Sequence, residues 1–192
     1  MNKNQIAETV TKSALNLIPG VGGAIASILG DYLSIRKEAR LNEFIKNADV
    51  VKIACYSSTV NATQGSITTD KYNAYMQGNG YALKLYSENM LDYHQPITFQ
   101  RSKLQNEVFE VIGTTDIYQD KIAIAVVNSG DKKIRLTNEN FGTIESRKYV
   151  TAESLEDYDN DENRKFKYYE QQNPTSLVVE PRSITTFIVH VK

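Results

Sequence analysis

The sequence predicts an α+β fold: an N-terminal helical segment, either a hairpin or one long helix, followed by an antiparallel β-sandwich. Three observations carry that prediction. Apolar residues recur at helical spacing as far as about residue 60, and short alternating segments bounded by turn formers fill the chain from about residue 66 onward. At 192 residues, with 41% hydrophobic and 23% charged residues, the chain also has the composition of a globular protein able to bury a core. The division that follows is 1–60 for a helical segment with a Gly-rich apolar stretch and 66–192 for a β-sandwich domain.

In chain order, Ile6, Val10, Ala14 and Leu17 share one helical face until Pro19-Gly20 interrupts it. A proline-free run from Val21 to Tyr56 resumes the pattern, which reads as two helices joined at Pro19-Gly20. Ala14 to Gly30, "ALNLIPGVGGAIASILG", is apolar enough to raise a membrane question. A span needs about 20 apolar residues. This stretch is shorter and carries Pro19, Gly20, Gly22 and Gly23 in its middle, so a helical hairpin packed against protein is expected. Membrane insertion or partner binding through residues 14–30 is the alternative, and Gly22, Ala26 and Gly30 permit close helix approach in either setting. Ala24-Ile25-Ala26 also mimics a signal-peptide cleavage site, against which stand the long polar stretch before the apolar run and Glu8 within it.

The β part is expected to consist of "GYALKLYSEN", "EVFEVIGTTD", "KIAIAVVN", "KIRLTN", "RKYVTAES", "TSLVVEP" and "SITTFIVHVK", separated by Gly, Asn, Asp and Pro. Within "KIAIAVVNSGDKKIRL", residues 121–136, alternation around Ile122, Ile124 and Val126 meets the turn formers Asn128-Ser129-Gly130-Asp131 and resumes at Ile134 and Leu136. That pattern predicts a β-hairpin. Short strands at this spacing suit an antiparallel sandwich better than a parallel sheet with crossover helices.

Composition and motifs exclude several functions. Lys plus Arg total 22 against 23 acidic residues, so there is no positive field to gather phosphates, and nucleic-acid binding is not expected. The lone Cys55 rules out an intramolecular disulfide. It suits a reducing compartment, with the cytoplasm expected over secretion, although a cysteine-poor secreted chain has the same count. His94, in a turn-like stretch beside Pro96, and His190, alternating with Val189 and Val191, stand in separate segments and have no metal-ligand spacing. Asp157, Asp159 and Asp161 alternate as in a calcium loop, but the required glycine and closing glutamate are replaced by Glu162 and Tyr168. No phosphate-binding, zinc-protease or serine-hydrolase motif is present; "GVGG", residues 20–23, follows no strand and precedes no lysine. Neither a metal nor a cofactor is expected. Twelve tyrosines and no tryptophan leave sugar stacking as a binding possibility, with Tyr72, Tyr75 and Tyr81 as candidate carbohydrate contacts beside the alternative of plain strand packing.

From Glu38 to Lys192 the order of segments resembles the C-terminal region of α-L-arabinofuranosidases, retaining glycosidases whose (β/α)8 barrel is followed by a β-sandwich. The residues that carry the likeness are "EARLNEFIKNADVVKIACYSSTVNA", "NGYALKLYSENM", "VFEVIGTTD", "KIAIAVVNSGDKKIRL", "VTAESLEDYDND", "NPTSLVVEP" and the closing "RSITTFIVHV". The resemblance implies that the first of these is the barrel's last helix and the rest the sandwich. It implies no catalytic residue. Retaining glycosidases need two carboxylic acids about 5 Å apart, and a barrel takes about 250 residues. The pairs Asn42-Glu43, Asn106-Glu107 and Asn138-Glu139 lie in a helix or beside turns, where no barrel strand ends. Residues 1–37 fall outside the likeness and resemble, in composition only, the glycine-rich apolar hairpins of small bacterial membrane-active or immunity-type proteins. The expected function is a non-catalytic accessory module that stabilises a glycosidase barrel or contacts a plant-type polysaccharide.

Overall fold

The computed structural model describes residues 42–51, 60–61, 65–97, 109–137, 139–154, 159–160 and 164–192. Of the helical segment expected over 1–60, residues 42–46 are helical; residues 1–41, with the apolar stretch 14–30 and the Pro19-Gly20 joint, and residues 52–59 lie outside the described residues. The elements that follow are β1 (Ile67–Thr69), β2 (Ala74–Met76), α1 (Gly78–Asn89), β3 (Tyr93–Gln95), β4 (Phe109–Thr115), β5 (Lys121–Asn128), β6 (Ile134–Leu136), β7 (Phe141–Thr151), β8 (Lys167–Gln172), β9 (Leu177–Val179) and β10 (Ser183–Val191). All the strand pairings between these elements are antiparallel, and the fold is mostly β.

Six strands form the main sheet in the order β3-β4-β5-β10-β7-β8, while β6 pairs with β9 and β1 with β2 in two small ribbons. The side-chain alternation of a strand explains what lies on each face of the sheet. On one side Ile112, Ala125, Val127, Val150 and Ile184 receive Ala82, Leu85 and Tyr86 of α1. On the other, Ile124, Val126, Phe187 and Val189 receive Leu177 and Val179 of β9, with Ile134 and Leu136 of β6 alongside. The β6–β9 ribbon thus packs on the sheet in sandwich fashion, and α1 closes the opposite face. In β5 the small Ala123 and Ala125 alternate with Ile122, Ile124 and Val126, which sets the lower, roomier side of the strand under the helix.

Three expectations are corrected. "GYALKLYSEN" is helix and not strand. Ala82, Leu85, Tyr86 and Asn89 are buried at i, i+3, i+4 and i+7, so one helical face fits the sheet, whereas the alternation of Tyr81, Leu83 and Leu85 that suggested a strand has no strand to pair with. Residues 121–136 likewise do not form a hairpin. β5 pairs with β4 and β10, and β6 pairs with β9. The cause is Asn128, which is fully buried: its Nδ2 donates to the carbonyls of Lys132 (2.9 Å) and Glu180 (2.8 Å), and its Oδ1 accepts from the Gly130 N–H at 3.0 Å. Gly130 in turn accepts from the Arg182 N–H at 3.0 Å, so the turn is pinned to the β9–β10 connection and hands the chain from one sheet to the other. The stretch around His94 is also strand, not turn, pairing Tyr93–Gln95 with Gly113–Thr115.

Candidate functional site

The three tyrosines singled out as sugar contacts do not form one platform. Tyr72 sits in the β1–β2 turn with its ring 81% exposed and the Lys71 ammonium 5.2 Å from its centroid. That turn is built by Asp70, whose Oδ1 accepts from the Tyr72 and Asn73 N–H groups at 2.7 and 2.8 Å, while its Oδ2 accepts from the Tyr75 hydroxyl. The Tyr75 hydroxyl and then the two N–H groups hold the Asp70 carboxyl below its ordinary range. Tyr75 itself is buried beneath the Arg164 guanidinium, 4.3 Å from its ring. Tyr81 is half-buried between Phe166 (6.0 Å) and Tyr168 (6.2 Å), and burial, reinforced by the negative charge of Asp159, raises its phenol pKa. Of the three, Tyr72 alone offers an open ring.

The carboxylates are taken up by the fold. Glu145 lies where β7 slips register against β10 and accepts from Lys121 Nζ at 2.8 Å, with His190 Nε2 at 3.0 Å on the same oxygen. Lys121 first, and His190 with it, hold the Glu145 carboxyl below its ordinary range against a smaller burial effect, and Glu145 raises the Lys121 ammonium in return. His190 is therefore on a strand, as expected, but half-buried and paired. For Glu180, burial pushes upward, yet Lys133 (3.0 Å) and Arg147 (3.2 Å) together hold the carboxyl down. Asn42, fully buried, accepts from the Tyr86 hydroxyl at 2.6 Å and donates to Glu110 at 3.3 Å, which ties the helical residues 42–46 to α1 and β4.

Asp159, 1% exposed, accepts from the Lys165 and Phe166 N–H groups, and its own backbone is clasped by the Gln77 amide at 2.8 and 3.0 Å. It is a loop anchor. Asp157 and Asp161, the other members of the acidic alternation, lie outside the described residues, and among the described residues no three His, Cys, Asp or Glu side chains gather as a metal site. Glu43 of the first Asn-Glu pair faces solvent on Lys46 at 2.7 Å; Asn106-Glu107 and Asn138 are outside the described residues.

In the β4–β5 turn Asp116 pushes the Asp120 carboxyl up, while Asp116 itself, against an upward push from burial, is held down by hydrogen bonds that include the Lys121 N–H at 3.3 Å. The turn is exposed at Ile117 and Tyr118.

A sheet filled on both faces, with its buried acids and amides spent on turns and ion pairs, defines an antiparallel β-sandwich domain. The family model described as the α-L-arabinofuranosidase C-terminal domain matches residues 39–186, and the chain belongs to that family. Among solved structures, the chain is similar to the family-51 α-L-arabinofuranosidase of Thermotoga petrophila (TM-score 0.62, 17% identity, covering 82% of this chain and 38% of that one). It is also similar to the enzyme of Xanthomonas axonopodis pv. citri (0.56, 14%, 82% and 35%). The family-51 enzyme of Bifidobacterium longum gives 0.58 at 12% identity, covering 82% and 34%. The chain thus spans little more than a third of the length of these chains. A comparison with curated proteins found no match. Among the described residues no helix is long and apolar enough to cross a membrane.

Proposed function

We propose that this chain is a non-catalytic accessory domain of the arabinofuranosidase type, which stabilises or orients a glycosidase barrel and presents open aromatic surface, Tyr72 included, to arabinose-containing polysaccharide. The observation that carries this reading is the match to an end domain over residues 39–186, in which the carboxylates of Glu145 and Glu180 are engaged in ion pairs. Glu145 is paired with Lys121 and His190, and Glu180 with Lys133 and Arg147, and a carboxylate so engaged is a poor proton donor or nucleophile.

The test is an assay of the purified chain on an aryl α-L-arabinofuranoside. The expected result is no turnover above buffer. Turnover that a single Glu-to-Gln substitution abolishes overturns the proposal, because it requires a catalytic carboxylate that this reading assigns to structure.

A further inference from the structure

We infer that the outer edge of β8 is a self-association surface, and that a second copy of this chain pairs there antiparallel about a two-fold axis through Tyr169. This goes beyond the accessory role and does not depend on it.

The two edges of the main sheet are treated differently. β3, at one end, is three residues long and is followed at once by Pro96, which has no N–H to offer a neighbour. β8, at the other, has six residues, "KYYEQQ", with no proline and no register slip against β7. Short length, proline and bulges are devices that keep an edge from pairing, and charged side chains are another. β8 lacks the first three and carries Lys167 and Glu170, so a partner strand must set both against uncharged residues. Five of its six residues are exposed, and among the described residues its backbone bonds run only to β7.

Its side chains add a specific register. Tyr169 stacks on Tyr149 of β7 with centroids 4.8 Å apart and planes 18° from parallel, and the Arg147 guanidinium lies 4.1 Å from the Tyr149 centroid. The spacing of the two rings is that of neighbouring strands, about 4.8 Å. Tyr149 and Tyr169 are therefore a file running across the sheet to its edge, with Arg147 beside Tyr149 along β7, and Tyr169 remains 42% exposed. A copy related by a two-fold axis at Tyr169 continues the file with its own Tyr169 and Tyr149. The same axis sets Lys167 against Gln171 and Tyr168 against Glu170, so no like charges face each other. It also brings Glu170 beside the Lys84 ammonium that lies 4.4 Å from the Tyr168 ring of the other copy. An axis one residue further on sets Glu170 against Glu170, which is unfavourable. Five strand pairs make a small contact, which places the dimer among weak, concentration-dependent ones.

Sedimentation of the full chain over a concentration series tests this. The expected result is a reversible rise in average mass toward that of two chains. Gln171→Lys, which faces Lys167 of the second copy, weakens the dimer at least about tenfold in Kd, and adding Lys167→Glu restores it. Tyr118→Lys, on the remote β4–β5 turn, leaves it unchanged. Circular dichroism confirms that each variant is folded. A single unchanging mass at all concentrations overturns the inference, as does a dimer indifferent to Gln171→Lys or not rescued by Lys167→Glu. Saturable binding of an arabino-oligosaccharide at Tyr169 in a chain that stays monomeric overturns it too, since the stack then serves a sugar.

Discussion

Phe187 is the side chain on which the ribbon face of the sheet is assembled. It is fully buried at the centre of β10, between Ile124 of β5 and Arg147 of β7, and packs with Val179 and Val189. Phe187→Ala removes the ring and leaves a cavity that the surrounding strands cannot close, so a loss of about 3–5 kcal/mol is expected in urea unfolding. Glu145 makes a different kind of prediction. Its folded-state pKa lies below the ordinary carboxylate value because of Lys121 and His190. Its contribution is therefore complete above the unfolded carboxylate pKa and disappears as pH falls through the depressed one. The Lys121 pKa is raised, so that partner's share is complete below the ordinary amine value and is lost only in alkali. In urea midpoints measured from acid to mildly alkaline pH, wild type and Glu145→Gln should differ by a small, constant amount at neutral pH and converge on acidification. A difference that grows in acid contradicts the assigned pairing.

At the scale of elements, Gly80 and Asn128 decide where chain segments go. Gly80 is in the first turn of α1, where a Cβ would lie 2.5 Å from the Ser66 carbonyl oxygen and 2.6 Å from Met76 Cγ. Alanine normally gains about 1 kcal/mol over glycine in a helix. Here the clash is with backbone, which cannot swing away. Gly80→Ala is expected to destabilise by about 1–3 kcal/mol, detectable as a lower Tm, and a stabilised variant means that α1 does not approach β1 and β2 as closely as described. Asn128→Ala deletes three hydrogen bonds from a buried corner at about 0.5–1.5 kcal/mol each. Chemical unfolding should show a loss within that sum and short of its upper end, since the Glu180 carbonyl still accepts from the Ser183 hydroxyl at 2.7 Å.

These elements also show what the sequence made legible. β5 and β10 were readable because a strand covered on both faces is a nearly continuous apolar run. β8 was not, since an edge strand of Lys, Glu and Gln carries no apolar alternation. α1 was misread because "YALKLY" satisfies period two as well as the helical period, and only the sheet beneath Ala82, Leu85 and Tyr86 selects between them. The supposed hairpin failed because the partner that turns the chain, Glu180, lies 52 residues from Asn128. The clasp of Asp159 by Gln77 spans 82 residues and the Tyr86–Asn42 bond 44, so neither leaves a local pattern.

For the whole molecule, the account rests on a six-stranded sheet whose two faces are filled from within the chain, by α1 on one side and the β6–β9 ribbon on the other. Such a sheet unfolds as a unit, and among the described residues both of its faces are occupied by the chain's own apolar side chains. Native-state hydrogen exchange of the purified chain measures this most directly. The expected result is that amides of β5 and β10 exchange only through global unfolding, with those of α1, β6 and β9 protected to a comparable free energy. Exchange of α1 or of the ribbon at the rate of an unfolded peptide, while β5 and β10 stay protected, would show that one face of the sheet is open and would contradict the account.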